Sequence, residues 1–144
     1  PGHTIGHVAF HFPASRAVFT ADSLMALGCG RLFEGTPEQM YKSLGHLAAL
    51  PPETQVYSGH EYTAANAKFA LTIEPENGAL ISRYEAIAAA REAGQPTVPS
   101  SLRDELDTNP FLRSHVSEIK SRLGMQAASE PEVFAEIRAR KDNF

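Results

Sequence analysis

Strand-type patterns end near residue 60 of this chain, and every clear pattern that follows is helical. Residues 8–12 alternate between apolar and other side chains, and residues 17–20 and 55–58 are short runs typical of strands. Helical patterns follow at residues 64–73, 77–93, about 101–106, about 114–122 and 129–141. This order predicts an α+β fold, in which a β/α part up to about residue 60 precedes an all-helical part.

Three helix starts are marked by side chains that cap helices. Thr36 is followed three residues later by Gln39, which makes a capping box ahead of an apolar helix face. Asn77 is suited to capping a second helix, and Ser129 with Glu132 makes another capping box. Between the early strands and the first of these helices, residues 28–30 predict a loop.

Charge and composition exclude several classes of function. The 144 residues carry a formal net charge of −4, which argues against a nucleic-acid partner. No apolar run approaches the roughly 18 residues of a membrane span, so no membrane association is expected. Cys29 is the only cysteine, which excludes an intrachain disulfide and favours a reducing, cytoplasmic location.

The segment "PGHTIGHVAFHF" places His3, His7 and His11 four residues apart. On a strand, residues four apart share a face but lie about 13 Å from each other. Metal–nitrogen bonds of about 2.0–2.1 Å cannot bridge that distance, so at most one of the three binds a given metal ion. His3 is the best candidate because it lies in a loop before the strand, whereas His7 and His11 fit structural or surface roles.

Asp22 and His60 each follow a predicted strand, as a site residue at the edge of a sheet would. Together with His3 they offer imidazole and carboxylate ligands for a divalent metal ion. A structural interpretation is equally open, in which Asp22 caps a turn and His60 caps the next helix.

Five segments resemble one family over nearly the whole chain: "PGHTIGH", "VFTADSL", "GCGRLFEGT", "VYSGHEYTAAN" and "RARKDNF". The family is glyoxalase II, the hydroxyacylglutathione hydrolases of the metallo-β-lactamase superfamily. The resemblance implies that residues 1–61 are the C-terminal portion of a metallo-β-lactamase αββα sandwich and that residues 62–144 form a helical glutathione-binding domain. The superfamily motif His-x-His-x-Asp-His does not occur here, so the chain is expected to be a C-terminal half that lacks four metal ligands.

The resemblance also implies a reaction, the hydrolysis of S-D-lactoylglutathione to D-lactate and glutathione. Family members use two divalent metal ions, usually zinc and sometimes iron or manganese, and a hydroxide held between them attacks the thioester. By this resemblance His3 binds one metal ion, His60 binds the other and Asp22 bridges both, which makes these three the catalytic and metal-binding residues. With three of seven ligands, the chain alone is expected to bind metal weakly and to hydrolyse slowly or not at all.

Glutathione recognition carries over from the family to six positions: Arg31, Leu32, Phe33, Tyr62, Arg138 and Lys141. Arg138 and Lys141 are three apart on a predicted helix and therefore share one face, as a carboxylate clamp requires. Taken without the resemblance, the same cations are suited to balancing the helix dipole. Cys29 is interpreted as a packed loop residue and not as a nucleophile.

Two other interpretations remain open from the sequence. One is a non-catalytic glutathione-binding or protein-binding module. The other is a different sulfur-acting metallo-β-lactamase relative, such as a persulfide dioxygenase, although those typically lack a helical region of this kind. Half of a sandwich also leaves a strand edge and an apolar sheet face uncovered, so we expect association with a missing N-terminal half or self-association.

Overall fold

Six strands and six α-helices make up the computed structural model, which describes all of residues 1–144. The strands are β1 (Phe10–Phe12), β2 (Ala17–Ala21), β3 (Leu24–Met25), β4 (Gly28–Cys29), β5 (Gln55–Ser58) and β6 (Ser100–Ser101). The helices are α1 (Pro37–Ala48), α2 (Thr63–Ile73), α3 (Gly78–Glu92), α4 (Leu102–Thr108), α5 (Ser117–Arg122) and α6 (Glu130–Asp142). The predicted α+β class is confirmed. None of the six α-helices combines the length and the apolar composition that a membrane span requires.

Four of the strands form one sheet in the order β1-β2-β5-β6. Strands β2 and β5 run parallel, with Val18 opposite Val56 and Ala21 opposite Ser58, and a bulge lies between Phe19 and Ala21. Because parallel strands end at the same edge, the residues that follow β2 and β5 emerge side by side. The sheet therefore brings the segments after residues 21 and 58 together.

One face of this sheet is covered by the protein and the other is open. Val18 and Val56 are fully buried in the core. On strands β1, β2 and β5, exposed aromatic side chains form what we call the aromatic face: Phe10, Phe12, Phe19 and Tyr57. The Phe19 ring stacks on Tyr57 at a centroid distance of 4.7 Å and meets the edge of Phe12 at 5.8 Å. The open apolar face predicted from the sequence is present.

The predicted caps are confirmed. Thr36 and Gln39 form a capping box at α1, and Ser129 and Glu132 form one at α6. The Asn77 side chain accepts hydrogen bonds from two backbone N–H groups at the start of α3. These helix starts are set by local side-chain chemistry, which is why the sequence predicts them well.

Three features differ from the sequence-based prediction. Residues 28–29, predicted as a loop, pair with β3 in a short hairpin, because the buried Asn109 side chain donates to the carbonyls of Met25 and Gly28. The helical part also contributes β6, which pairs antiparallel with β5. Strands of two residues are too short to show an alternating pattern, so long-range pairing alone defines them. The first strand also begins at Phe10, two residues later than the alternation predicts.

The main hydrophobic core joins both predicted parts of the chain. Its buried members come from the sheet, from α1 and from the later helices, and include Val18, Leu44, Val56, Phe69, Phe111, Phe134 and Ile137. Helix α6 packs against α1. The last helix is therefore fixed against the part of the chain that carries the candidate metal ligands.

Candidate metal centre and substrate cleft

Asp22 and His60 meet at the edge where β2 and β5 end. The Nδ1 atom of His60 lies 2.6 Å from Oδ1 of Asp22, so the imidazole donates a hydrogen bond to the carboxylate. The second carboxylate oxygen, Oδ2, lies 3.8 Å from Nε2 of His3. The three predicted ligands thus converge, and each oxygen of Asp22 faces a different imidazole.

His3 is held by the backbone of the loop after β4. Its Nδ1 lies 2.8 Å from the carbonyl oxygen of Arg31, and only a protonated Nδ1 can donate to that oxygen. In neutral imidazole the lone pair then resides on Nε2, the atom that faces Asp22. A carbonyl on the far nitrogen is the usual arrangement behind a metal-binding histidine.

His7 is hydrogen-bonded to the backbone of Asp22. Its Nε2 accepts a hydrogen bond of 3.3 Å from the backbone N–H of Asp22. Burial, with a further contribution from the nearby His3, lowers the pKa of His7 and favours the neutral ring that can accept this bond. The side chain of His11 lies exposed on β1, away from this cluster.

Two glycines allow the backbone to approach the site closely. A Cβ on Gly30 would stand 1.9 Å from the carbonyl oxygen of Asp22 and 2.9 Å from Nδ1 of His3. A Cβ on Gly59 would stand 2.8 Å from Oδ1 of Asp22. Real Cβ atoms do not approach other atoms this closely, so any side chain at either position would push the site apart.

The three residues suit part of a metal site. Two ligands of one tetrahedral zinc ion lie about 3.3 Å apart, as follows from metal–ligand bonds of about 2.0–2.1 Å. The 3.8 Å between His3 and Asp22 is close to this value, and the 2.6 Å between Asp22 and His60 would have to lengthen as the metal ion replaced the shared proton. In the structure as it stands, no three His, Cys, Asp or Glu side chains are grouped closely enough to hold a metal ion. The set fits a metal centre that takes further ligands from elsewhere.

A cleft of about 550 Å³ opens beside these residues. Arg31 and Lys141 both line it, and neither side chain forms an ion pair with a carboxylate. Burial and the neighbouring charge of Arg138 lower the pKa of Lys141, whose ammonium lies 5.7 Å from the centre of the Phe69 ring. Two cations without acidic partners favour an anionic ligand.

Aromatic side chains stand against both histidines. The Phe33 ring lies 5.1 Å from that of His3, and Phe33 is highly exposed. The Tyr62 ring stacks on that of His60 at 4.8 Å, nearly parallel, with its other surface exposed. These two rings line the cleft, one beside each of the two histidines that face Asp22.

The remaining predicted site residues lie in different surroundings. Leu32 packs against the main hydrophobic core and does not line the cleft. Arg138 lines the cleft but is only 5% exposed, and most of its guanidinium is bonded within the protein. Burial raises the pKa of the Cys29 thiol to about 11, despite the opposing effect of Arg138. Such a thiol is a poor nucleophile, as the packed-residue interpretation expects.

The structure also adds residues that the sequence did not single out. Met25, Ala65 and Asn66 line the cleft. Asn66 lies in α2, four positions after Tyr62, which directly precedes that helix, so the four-residue spacing was the available signal for it. Glu61 accepts two hydrogen bonds of 2.6 Å from Thr97 and thereby secures the segment before β6.

Known protein families match the two parts of the chain separately. Residues 1–60 match the family model described as the metallo-beta-lactamase superfamily. A crystal structure of ETHE1 from Myxococcus xanthus matches 99% of this chain and 43% of that chain, at a TM-score of 0.57 and 25% identity. Fold and site thus define the class as a metallo-β-lactamase-type protein with a helical C-terminal region.

The helical region identifies the family within that class. Residues 61–144 match the model described as hydroxyacylglutathione hydrolase C-terminus. The hydroxyacylglutathione hydrolases of Roseobacter denitrificans and Jannaschia sp. are 68% and 67% identical over 143 residues, which is 99% of this chain and 56% of each relative. The chain belongs to the hydroxyacylglutathione hydrolase family, and it spans about half the length of the curated relatives that it matches.

Proposed function

We propose that this chain provides part of the active site of a thioester hydrolase that converts S-D-lactoylglutathione to D-lactate and glutathione. The position of Asp22 supports this most, because its two oxygens face His3 and His60 beside a cleft with two cations that lack acidic partners. Relatives with 67–68% identity that carry the name hydroxyacylglutathione hydrolase support the same substrate class.

In this proposal His3, Asp22 and His60 hold divalent metal ions together with ligands from outside residues 1–144. Zinc is the proposed metal, since imidazole and carboxylate are among its common ligands, and iron or manganese would accept the same set. Bound metal ions of this kind supply a nucleophilic water at neutral pH and stabilise negative charge on a carbonyl oxygen. The carbonyl of Arg31 contributes by keeping Nε2 of His3 free to bind.

The substrate is proposed to lie in the cleft with its carboxylates near Arg31 and Lys141. Phe33 and Tyr62 would enclose it on the two sides, because their rings are exposed and flank the candidate ligands. Thiols have a pKa near 8.5, so the glutathione sulfur leaves as a thiolate with little help from a general acid. This accounts for a cleft in which no acidic side chain except Asp22 takes part.

The aromatic face is proposed to be covered by the remainder of the metallo-β-lactamase fold. Its four exposed rings, three of which contact one another, are apolar side chains of the kind that sheets bury against a second layer. Self-association of the chain is the expected substitute where that remainder is absent. A cytoplasmic location is proposed because the single cysteine is a free, buried thiol.

The test uses the complete natural polypeptide that carries residues 1–144. We expect it to bind divalent metal and to hydrolyse S-D-lactoylglutathione. Asp22→Asn should lower the metal content and should reduce kcat/KM by a hundredfold or more. Lys141→Gln should raise KM about tenfold and leave metal content unchanged. Lys68→Gln is the matched control, since Lys68 is an exposed lysine of α2 outside the cleft.

A second outcome would favour the non-catalytic interpretation. In that case the polypeptide would bind glutathione in calorimetry but would not hydrolyse the thioester. Binding would then depend on Lys141 and be unaffected by His3→Ala or Asp22→Asn. Activity that survives Asp22→Asn would contradict the proposed metal centre.

A further inference from the structure

A groove of about 430 Å³ lies against helix α1 and shares no residue with the cleft. It is lined by residues between 41 and 48, by Leu106 of α4 and by four residues between 111 and 115, and we call it the α1 groove. Two of its lining residues, Leu44 and Phe111, are buried members of the main hydrophobic core. Its size and largely apolar lining are typical of a site for a small molecule.

A buried hydroxyl without a hydrogen-bond partner lies in this groove. Ser114 is 2% exposed and lines the groove, and its Oγ forms no hydrogen bond with any protein group. Three other hydroxyls of this kind line neither the groove nor the cleft. Because a buried polar group is costly to leave unpaired, the Ser114 hydroxyl favours a ligand whose polar atom accepts its hydrogen bond.

The charged side chains of the α1 groove are all basic or able to become so. Lys42, His46 and His115 line it with exposed side chains, and none of them forms an ion pair. No aspartate or glutamate lines the groove, although the chain as a whole has a formal net charge of −4. A local excess of basic groups in an acidic protein favours a negatively charged ligand.

We propose that the α1 groove binds a medium-chain monocarboxylate. The apolar chain lies on Leu44 and Phe111, the carboxylate accepts a hydrogen bond from Oγ of Ser114, and the basic side chains balance its charge. The groove lies among residues that pack on the covered face of the sheet, whereas the aromatic face is on the other side, so the remainder of the natural polypeptide should leave the groove open. The inference does not depend on the proposed metal centre, because groove and cleft have no residue in common.

The test is calorimetry of the complete natural polypeptide with octanoate. We expect one site with a Kd of about 0.1–1 mM, as suits a ligand of this size. Octan-1-ol has the same chain without the charge and should bind at least about tenfold more weakly. Ser114→Ala should weaken octanoate binding about tenfold, and it should fold normally because it leaves no partner unpaired. Gly45→Phe should abolish binding, since Gly45 lines the groove and a Cβ there meets nothing within 4 Å, so the ring obstructs the groove without displacing the backbone.

Gly78→Phe is the matched control. Gly78 is an exposed glycine at the start of α3, lies outside the groove and also has nothing within 4 Å of an added Cβ. It should leave octanoate binding unchanged, as should Lys141→Gln in the cleft. Loss of binding in Lys141→Gln would overturn the proposal by placing octanoate in the cleft. Equal binding of octanoate and octan-1-ol, undiminished binding in Ser114→Ala or Gly45→Phe, or no saturable binding would also overturn it. Failure of Zn²⁺ binding or thioester hydrolysis would contradict only the proposed function, so the two failures are distinguishable.

Discussion

The α-carbon of Gly59 lies directly against the carboxylate of Asp22. A methyl group there would stand 2.8 Å from Oδ1, while the backbone N–H of Gly59 donates to the carbonyl of Ala21 at 2.8 Å and holds the two strand ends together. In Gly59→Ala we therefore expect the carboxylate to turn away and the affinity for Zn²⁺ to fall at least tenfold. The free energy of unfolding should drop by only about 1–2 kcal/mol, because the atom that must move is a side-chain end. Metal titration and denaturant unfolding of the complete polypeptide measure the two effects. Undiminished Zn²⁺ affinity would show that this close approach does not set the position of Asp22.

Gly30→Ala should act on folding as well as on the site. Its added methyl group would meet the backbone carbonyl of Asp22 at 1.9 Å, and a backbone atom cannot move aside alone. We expect a loss of about 3 kcal/mol or more of unfolding free energy, measured by denaturant unfolding. The control is Gly45→Ala in α1, where no atom lies within 4 Å and alanine should stabilise the helix by about 0.5–1 kcal/mol. Equal stability of the two variants would contradict the packing described here.

Cys29 should be inert in the folded protein. With a pKa raised to about 11 by burial, only about one thiol in a thousand is ionised at pH 8. Iodoacetamide at that pH should label the native protein far more slowly than the protein unfolded in guanidinium chloride. Rapid labelling of the native state would contradict the buried position of the thiol.

The same thiol should make the protein sensitive to alkali. The pKa of this thiol is higher in the folded state than in the unfolded chain, so the unfolded chain releases the proton first as the pH rises. The contribution to stability is full below about pH 9 and is lost between about pH 9 and 11. Denaturant unfolding of the wild type and of Cys29→Ala across this range should show a smaller decline for the variant.

The aromatic face should drive association when residues 1–144 are produced alone. We expect size-exclusion chromatography with light scattering to show species larger than a monomer that increase with concentration. Phe19→Ser, at the centre of the stacked rings, should shift the distribution towards monomer. The control Ile81→Ser removes an exposed apolar side chain of α3 outside this face and should change little. A concentration-independent monomer would argue against this role of the face.

The sequence predicted most of the fold where signals are local. Thr36, Asn77 and Ser129 cap their own helices, so residues a few positions apart contain the necessary information. The convergence of Asp22 and His60 was also predictable, because strand ends in a parallel pair share an edge. The β3–β4 hairpin was not predictable in this way, since Asn109 holds it from 81 residues away.

The burial of Arg138 could not be predicted from local signals for the same reason. Its spacing to Lys141 indicates a shared helix face and suggests a joint clamp, as the family resemblance implies. Only the folded arrangement shows that Asp142 and the carbonyl of Cys29 already engage it. Burial of a charged side chain depends on partners that are remote in sequence, and spacing along one helix contains no information about them.

Residues 29–31 are hydrogen-bonded to Arg138 of α6, to Ser23 and to His3. On the side of residues 29–31, these bonds use two backbone carbonyl oxygens and one backbone N–H, which every residue type except proline supplies in full. The side chains at positions 31 and 33 are therefore free to vary without breaking them. A library that randomises Arg31 and Phe33 while keeping Gly30 would explore new acyl-donor preferences without moving the candidate metal ligands. The side chains that line the cleft can therefore change while the backbone that holds His3 stays the same.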